Sequence, residues 1–245
     1  CTTSTVITAS GSAFKSLVNN CYNNASACQD NVPIGCWNTS EVTDMAYAFS
    51  NINFDESINC WNTARVTDMT FMFDEATTFN QPLDDWNVAN VTSMKIMFRK
   101  ATNFNQPLND WNVASLTDMG FMFQRATYFN QSLNDWDVAS VNAMTYTFFA
   151  AKNFNQPLDD WNVASVTDMG FMFNKATEFN QSLNDWNVAS VTTMNEMFRY
   201  ATDFNQPLND WDVASVNAMN YKFFYATNFN QPLDDWNVAS VTDMA

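Results

Sequence analysis

Residues 66–88 read VTDMTFMFDEATTFNQPLDDWNV, and the spacing of their apolar positions decides the fold. Met69, Met72, Phe73 and Ala76 fall at i, i+3, i+4 and i+7, one face of a short helix. Thr67 and Asp68 stand where a capping hydroxyl and a first-turn acid would satisfy the free amides and the helix dipole. TTFNQP then breaks the pattern, because Pro82 cannot continue a helix. In LDDWNV, Leu83, Trp86 and Val88 take the inward positions of a leucine-rich-repeat strand. The stretch predicts one short helix followed by one short strand.

Outward from this stretch the same unit recurs. The nine Trp stand at 37, 61, 86, 111, 136, 161, 186, 211 and 236, spaced by 24 once and by 25 thereafter. A fixed period of this length signals a solenoid, in which each unit buries its apolar face against its neighbours. The expected class is α/β: a leucine-rich-repeat-like solenoid of about nine rungs, each with one short parallel strand and one short helix. At ~4.8 Å per strand the stack is a rod roughly 40 to 45 Å long. Like residues stack into columns, of Trp, of Met (Met45, Met69, Met94 and onward) and of Phe (Phe54 to Phe229), which read as core. The Asn of each FNQ, from Asn80 to Asn230, forms a further column whose amides serve the turn backbone from rung to rung. VNAMTYTFF at 141–149 and VNAMNYKFF at 216–224 lie three rungs apart and replace the second Met by Thr147 and Lys222.

Residues 1–33 lack the repeat, and SAFKSLVNNCYNN within them predicts a helical cap over the first rung. Residues 34–245 form the repeat array, which predicts an uncapped C-terminal end and either a longer chain or a subunit stacked there. The chain opens at Cys1 without an initiator Met, which predicts a processed or excised piece.

Composition narrows the function. A formal charge of −16, from 26 acids against 10 bases, argues against nucleic acid or an anionic membrane as partner and favours a basic one. No window is long and apolar enough for a membrane span. Histidine is absent, which removes the commonest general base and metal ligand. The four Gly form no phosphate-cradling loop, and no Ser, Thr or Cys nucleophile has a base beside it. The expectation is no enzymatic activity.

What stands out is acidic. Asp85, Asp110, Asp135, Asp160, Asp185, Asp210 and Asp235 all directly precede a Trp, with Asp84, Asp159 and Asp234 beside them and Asp137 and Asp212 just after. Three readings apply to this row: a solvated face, a contact surface for a basic partner, or a calcium site built from stacked oxygens, with no cofactor otherwise expected. Cys36 and Cys60 both directly precede a Trp, so the shared position predicts a Cys36–Cys60 disulfide; Cys21–Cys28 is predicted in the cap. Cys1 is then odd, lipid-bearing, intermolecularly bridged or left over from a truncated partner. Glycosylation sequons occur at Asn24, Asn38, Asn90, Asn130 and Asn180; Asn24 and Asn90 read as the accessible pair, and burial at the FNQ position of Asn130 and Asn180 would forbid a glycan.

The pattern VTDMxxMFxxATxFNQPLxxWNV, near-complete over 66–238, resembles the BspA-like leucine-rich-repeat surface proteins, a repeat type also met in mycoplasma lipoproteins. That resemblance implies an extracellular or cell-surface location and adhesion rather than catalysis. It supplies no ligand residues. The functional expectation is a non-catalytic adhesion or interaction module with a protein or glycan partner. The alternative is a structural subunit of an extracellular fibre, a homo-oligomer built by end-to-end stacking of solenoids through the open C-terminal end.

Overall fold

The computed structural model describes residues 5–244, and it is a solenoid of stacked 25-residue rungs. The interior is filled as the periodicity demands. In one rung Val66, Met69, Met72, Phe73, Ala76, Phe79, Leu83, Trp86 and Val88 are all buried. Like stacks on like: Phe73 lies 5.4 Å from Phe98, Phe79 lies 5.9 Å from Phe104, and Trp86 lies 6.4 Å from Trp111, all with near-parallel rings. Within a rung the two Phe also stack on each other, Phe73 on Phe79 at 4.2 Å. From Trp61 onward each Trp donates its indole N–H one rung back, Trp111 to the Leu83 carbonyl at 3.0 Å, and that carbonyl also accepts the Trp86 amide. The polar edge of the largest core residue is thereby satisfied.

The helix expected over Met69, Met72, Phe73 and Ala76 does not form. Among the described residues the one α-helix is α1 (Ser12–Asn23), outside the rungs. Residues 69–76 instead build a staircase of turns. The amides of Met69, Phe71, Phe73 and Glu75 donate to Ser93, Lys95, Met97 and Arg99 of the next rung. The amides of Met72, Asp74 and Ala76 close overlapping i→i+3 turns on Met69, Phe71 and Phe73. Phe71 and Glu75 sit at φ 58° and 59°, the left-handed conformation that the third position of a type II turn requires. The same two positions are left-handed in the other rungs, even with a β-branched side chain at Ile96, φ 63°. Such backbone costs on the order of 1 kcal/mol per residue, offset here by the rung-to-rung hydrogen bonds.

Rung spacing explains the outcome. Stacked rings on the outer side of the staircase are 4.5 Å apart at Tyr47–Phe71 and 4.3 Å at Tyr146–Phe171. Helices packed side by side need about 8–10 Å between axes. Staircases of turns fit where helices cannot.

The strand expected at LDDWNV is absent as well. Trp86 N–H closes a turn on the Leu83 carbonyl, Val91 closes another on Val88, and Asn87 Oδ1 accepts the Ala89 amide. Leu83, Trp86 and Val88 still point inward. Along the rungs extended pairing shrinks to one parallel bridge at the residue directly before each first Met: Asp44, Asp68, Ser93, Asp118, Ala143, Asp168, Thr193, Ala218 and Asp243 pair in succession. Thr67 does not cap a helix; its amide and hydroxyl both donate to the Thr43 carbonyl of the previous rung. The α/β description is therefore corrected to a solenoid of turns and single bridges.

The spacing of like rings also gives the stack its shape. It grows from 4.3–4.6 Å outside the staircase, through 5.4–5.7 Å in the Phe73 column, to 6.3–6.4 Å between Trp61, Trp86, Trp111 and Trp136. The smallest step lies at one edge and not at the centre, so the coil bends with the staircase on the inside of the curve and Trp on the outside.

At the start of the coil, α1 buries Phe14, Val18 and Cys21, an i, i+4, i+7 stripe. Phe14 meets Trp37 and Trp61 edge-on at 6.3 and 5.5 Å. Gly11 precedes α1 at φ 57°, a conformation that favours glycine, and its amide donates to the Asp44 carbonyl at 2.8 Å, which ties the cap to the first staircase.

Candidate functional site

Three outward rows run along the coil. The first is the acidic row on the outside of the curve. Asp85, Asp110, Asp135, Asp160, Asp185, Asp210 and Asp235 are all exposed. Asn side chains stand between successive carboxylates: Asn59 donates to Asp84 and Asp85, Asn134 to Asp160, Asn184 to Asp210 and Asn209 to Asp235. Asn134 Oδ1 in return accepts the Asp160 amide, so one amide serves backbone and carboxylate together. These Asn donors weaken the mutual repulsion of a like-charged column. Among the described residues no three acidic or thiol groups converge as a metal site would need. Asp137 and Asp212 face their own backbone, accepting the Ala139 and Ala214 amides as Asn does in other rungs.

The FNQ column is built from Asn80, Asn105, Asn130, Asn155, Asn180 and Asn205. Asn130 Oδ1 accepts the Asn155 amide at 3.0 Å and the Gln156 side-chain amide at 3.0 Å, and Asn180 serves Asn205 and Gln206 likewise. Sequon residues Asn130 and Asn180 are thus half-buried with their carbonyl ends committed. Asn90 is exposed, but its Nδ2 donates to Ala64 O at 2.8 Å, a bond that a glycan would displace. Asn24 is exposed and its Oδ1 accepts the Ser26 amide; Asn38 is half-buried and accepts the Ser40 amide.

The cysteines depart from the expected pairing. Cys21 and Cys28 are bridged, with Cα atoms 4.2 Å apart. Cys36 is disulfide-bonded, yet Cys60 is a free, exposed thiol whose Sγ donates to Gly35 O. The Cys36–Cys60 bridge does not form, because the Cys36 sulfur is already bonded elsewhere; the register itself is kept, with Trp37 stacked on Trp61 at 6.4 Å. Cys1 lies outside the described residues. Alkylating the native protein before peptide mapping should label Cys60 and leave Cys21, Cys28 and Cys36 unlabelled; a labelled Cys36 would contradict this arrangement.

The second row, which the sequence reading missed, lies on the inside of the curve. Phe121, Tyr146 and Phe171 stack at 4.6 and 4.3 Å from consecutive rungs, all half-buried and all at φ near 60°. Gly120 and Gly170 adjoin the column; both are buried, with their amides held by Asp118 and Asp168 Oδ1 at 2.8 and 2.7 Å. Burial, then the nearby Glu196 and Asp168 carboxylates, push the Tyr146 phenol above its ordinary value. The signal was present as every 25th residue from Phe71, but the helical reading hid it.

The third row is basic and sits at the far corner of the staircase. Arg99 grips buried Asp74 through Nε at 2.6 Å and Nη2 at 2.8 Å, and this carboxylate raises the guanidinium's already high value. Lys100 pairs with Glu75 at 2.6 Å and holds that carboxyl below its ordinary value. One hundred residues on, Arg199 finds Asn174 in place of Asp74 and turns to Glu196 at 2.7 Å.

Among the described residues no helix is long and apolar enough to cross a membrane. No match was found among curated proteins. One family model, described as "Mycoplasma protein of unknown function, DUF285", matches residues 16–136, 108–194 and 154–245, three overlapping segments that together span the rungs. The chain belongs to this family of repeat proteins.

Proposed function

We propose that this chain is a non-catalytic interaction module, displayed outside the cell in the manner of the BspA-like surface proteins it resembles. The observation that carries the reading is the aromatic column Phe121, Tyr146 and Phe171 on the inside of the curve. The interior is complete without it, and curved solenoids bind partners on that face. Asp168, whose charge reaches the Tyr146 phenol, suits a protein segment carrying cations and aliphatic side chains, while Asp118 and Glu196 are already paired with Lys95 and Arg199. The acidic row on the opposite side extends the same preference.

The test uses Phe121→Asn, Tyr146→Asn and Phe171→Asn together, since Asn tolerates the left-handed backbone. Beads coated with the chain should adhere to surfaces of basic extracellular-matrix protein, and the triple variant should adhere at least tenfold less while unfolding within a few degrees of the parent. Equal adhesion by the variant would overturn the reading, as would no adhesion by the parent.

A second reading, a fibre subunit, is favoured by the uniform rung operation: the Phe73 column keeps 5.4–5.7 Å from Phe49 to Phe223. Electron microscopy distinguishes them, regular filaments supporting the fibre and separate short rods the module.

A further inference from the structure

Ten bases stand against 26 acids in this chain, yet three of the ten converge on one groove. Lys100 and Arg125 occupy the same left-handed corner position in successive rungs, φ 57° and 58°. In the next rung that position is Ala150, and the cation reappears two residues later as Lys152, where neighbouring rungs carry Thr77, Thr102, Thr127 and Thr177. The small Ala150 side chain leaves a cavity of about 360 Å³, lined by Lys100, Arg125, Lys152, Ala150 and the threonines 77, 102 and 127.

Only Lys100 is committed there, to Glu75. Among the described residues Arg125 and Lys152 lie within ion-pair distance of no carboxylate, although acids outnumber bases. Their hydration is retained at a cost of unopposed like-charge repulsion, which an anionic ligand would relieve. The groove lies in the middle rungs, so its walls are complete on both sides.

We infer that this corner binds a linear anionic polysaccharide, with sulfate or carboxylate groups seated at Lys100, Arg125 and Lys152 in turn. Cations that recur from rung to rung match charges that recur along a polymer. The groove offers one cation per rung, which suits a single narrow chain with spaced charges. A nucleic-acid duplex is wider and more densely charged, and it would meet the acids that cover the rest of the molecule. The inference goes beyond the interaction reading, and the two fail separately, because the inner-curve variants and the corner variants touch different rows.

The experiment is calorimetric titration of the intact chain with a sulfated glycosaminoglycan hexasaccharide, a neutral hexasaccharide, single-stranded DNA and phosphatidylserine vesicles. The sulfated sugar should bind at least tenfold more tightly than the other three, and its affinity should fall with salt. Arg125→Gln/Lys152→Gln should weaken it at least tenfold and lower the slope of log affinity against log salt by about two. Arg65→Gln, which removes an exposed cation paired with Glu41 on another row, should change neither. Both altered corner side chains are exposed, and unchanged thermal unfolding verifies the fold. Equal binding of the neutral sugar, no binding, or an unaltered double variant would overturn the proposal. Tighter binding of DNA or vesicles would overturn it in favour of those partners.

Discussion

Replacing Trp111 by Ala should cost about 4 kcal/mol and lower the midpoint of thermal unfolding by roughly 8–16 °C. Trp111 is 3% exposed, stacked between Trp86 at 6.4 Å and Trp136 at 6.3 Å. Its indole N–H bonds the Leu83 carbonyl of the preceding rung. The substitution therefore opens a cavity and removes contacts to both neighbouring rungs at once. In a linear stack, stability is close to a sum of rung and interface contributions, so weakening two adjacent interfaces also divides the cooperative unit. Unfolding of Trp111→Ala followed by circular dichroism should be broader than that of the parent. Asp110→Asn, one residue away but exposed, should stay within about 0.5 kcal/mol of the parent. A loss under 1 kcal/mol for Trp111→Ala would show that the column is not a main source of cohesion.

The opposite sign is expected at Lys222. This residue takes the inward position held by Met in most rungs and is 4% exposed. Its Nζ lies 3.0 Å from Met194 Sδ and over the rings of Trp211 and Trp236 at 4.8 and 4.2 Å, with no carboxylate at ion-pair distance among the described residues. Burial pushes the ammonium well below its ordinary value, outweighing the attraction of the two ring faces. Lys222→Met restores the column and should stabilise by roughly 2 kcal/mol at neutral pH, raising the midpoint by about 4–8 °C. The sign of the pH dependence follows from proton uptake. The unfolded chain binds a proton at Lys222 that the folded chain does not, so the parent gains stability as pH rises toward the unfolded value. The advantage of Lys222→Met should therefore be largest at neutral and lower pH and shrink as pH approaches 10. An advantage that grows with pH, or a destabilised variant, would contradict this environment.

The solenoid, its register and its core columns were legible because they depend on apolar period alone. Trp86, Met69, Phe73 and Phe79 are buried as their recurrence requires. The local backbone was not legible. Positions i, i+3, i+4 and i+7 point inward both on a helix and on overlapping i→i+3 turns, and only rung spacing, a property of the assembled stack, separates the two. Left-handed backbone at Phe71, Ile96 and Tyr146 runs against residue preference, so nothing local announces it. LDDWNV misled for a related reason: Leu83, Trp86 and Val88 face inward as in a strand, but Trp86 N–H and Asn87 Oδ1 close turns. The acidic row was visible because Asp repeats beside Trp. The aromatic row on the inner curve stayed hidden because placing it required knowing that residues 69–76 form a staircase. Cys60 shows the limit of register arguments: it shares the position before Trp with Cys36, yet Cys36 is bonded elsewhere and leaves Cys60 free.

The measurement that reaches the central claim most directly is scalar coupling across backbone hydrogen bonds, by nuclear magnetic resonance, in the rung containing residues 119–125. The staircase predicts couplings from the amides of Phe121, Phe123 and Arg125 to the carbonyls of Thr145, Thr147 and Phe149 in the next rung. It predicts couplings from Met122 and Gln124 to Met119 and Phe121, three residues back. Couplings from consecutive amides to carbonyls four residues back, with none between rungs, would restore the helix and contradict this account of the coil.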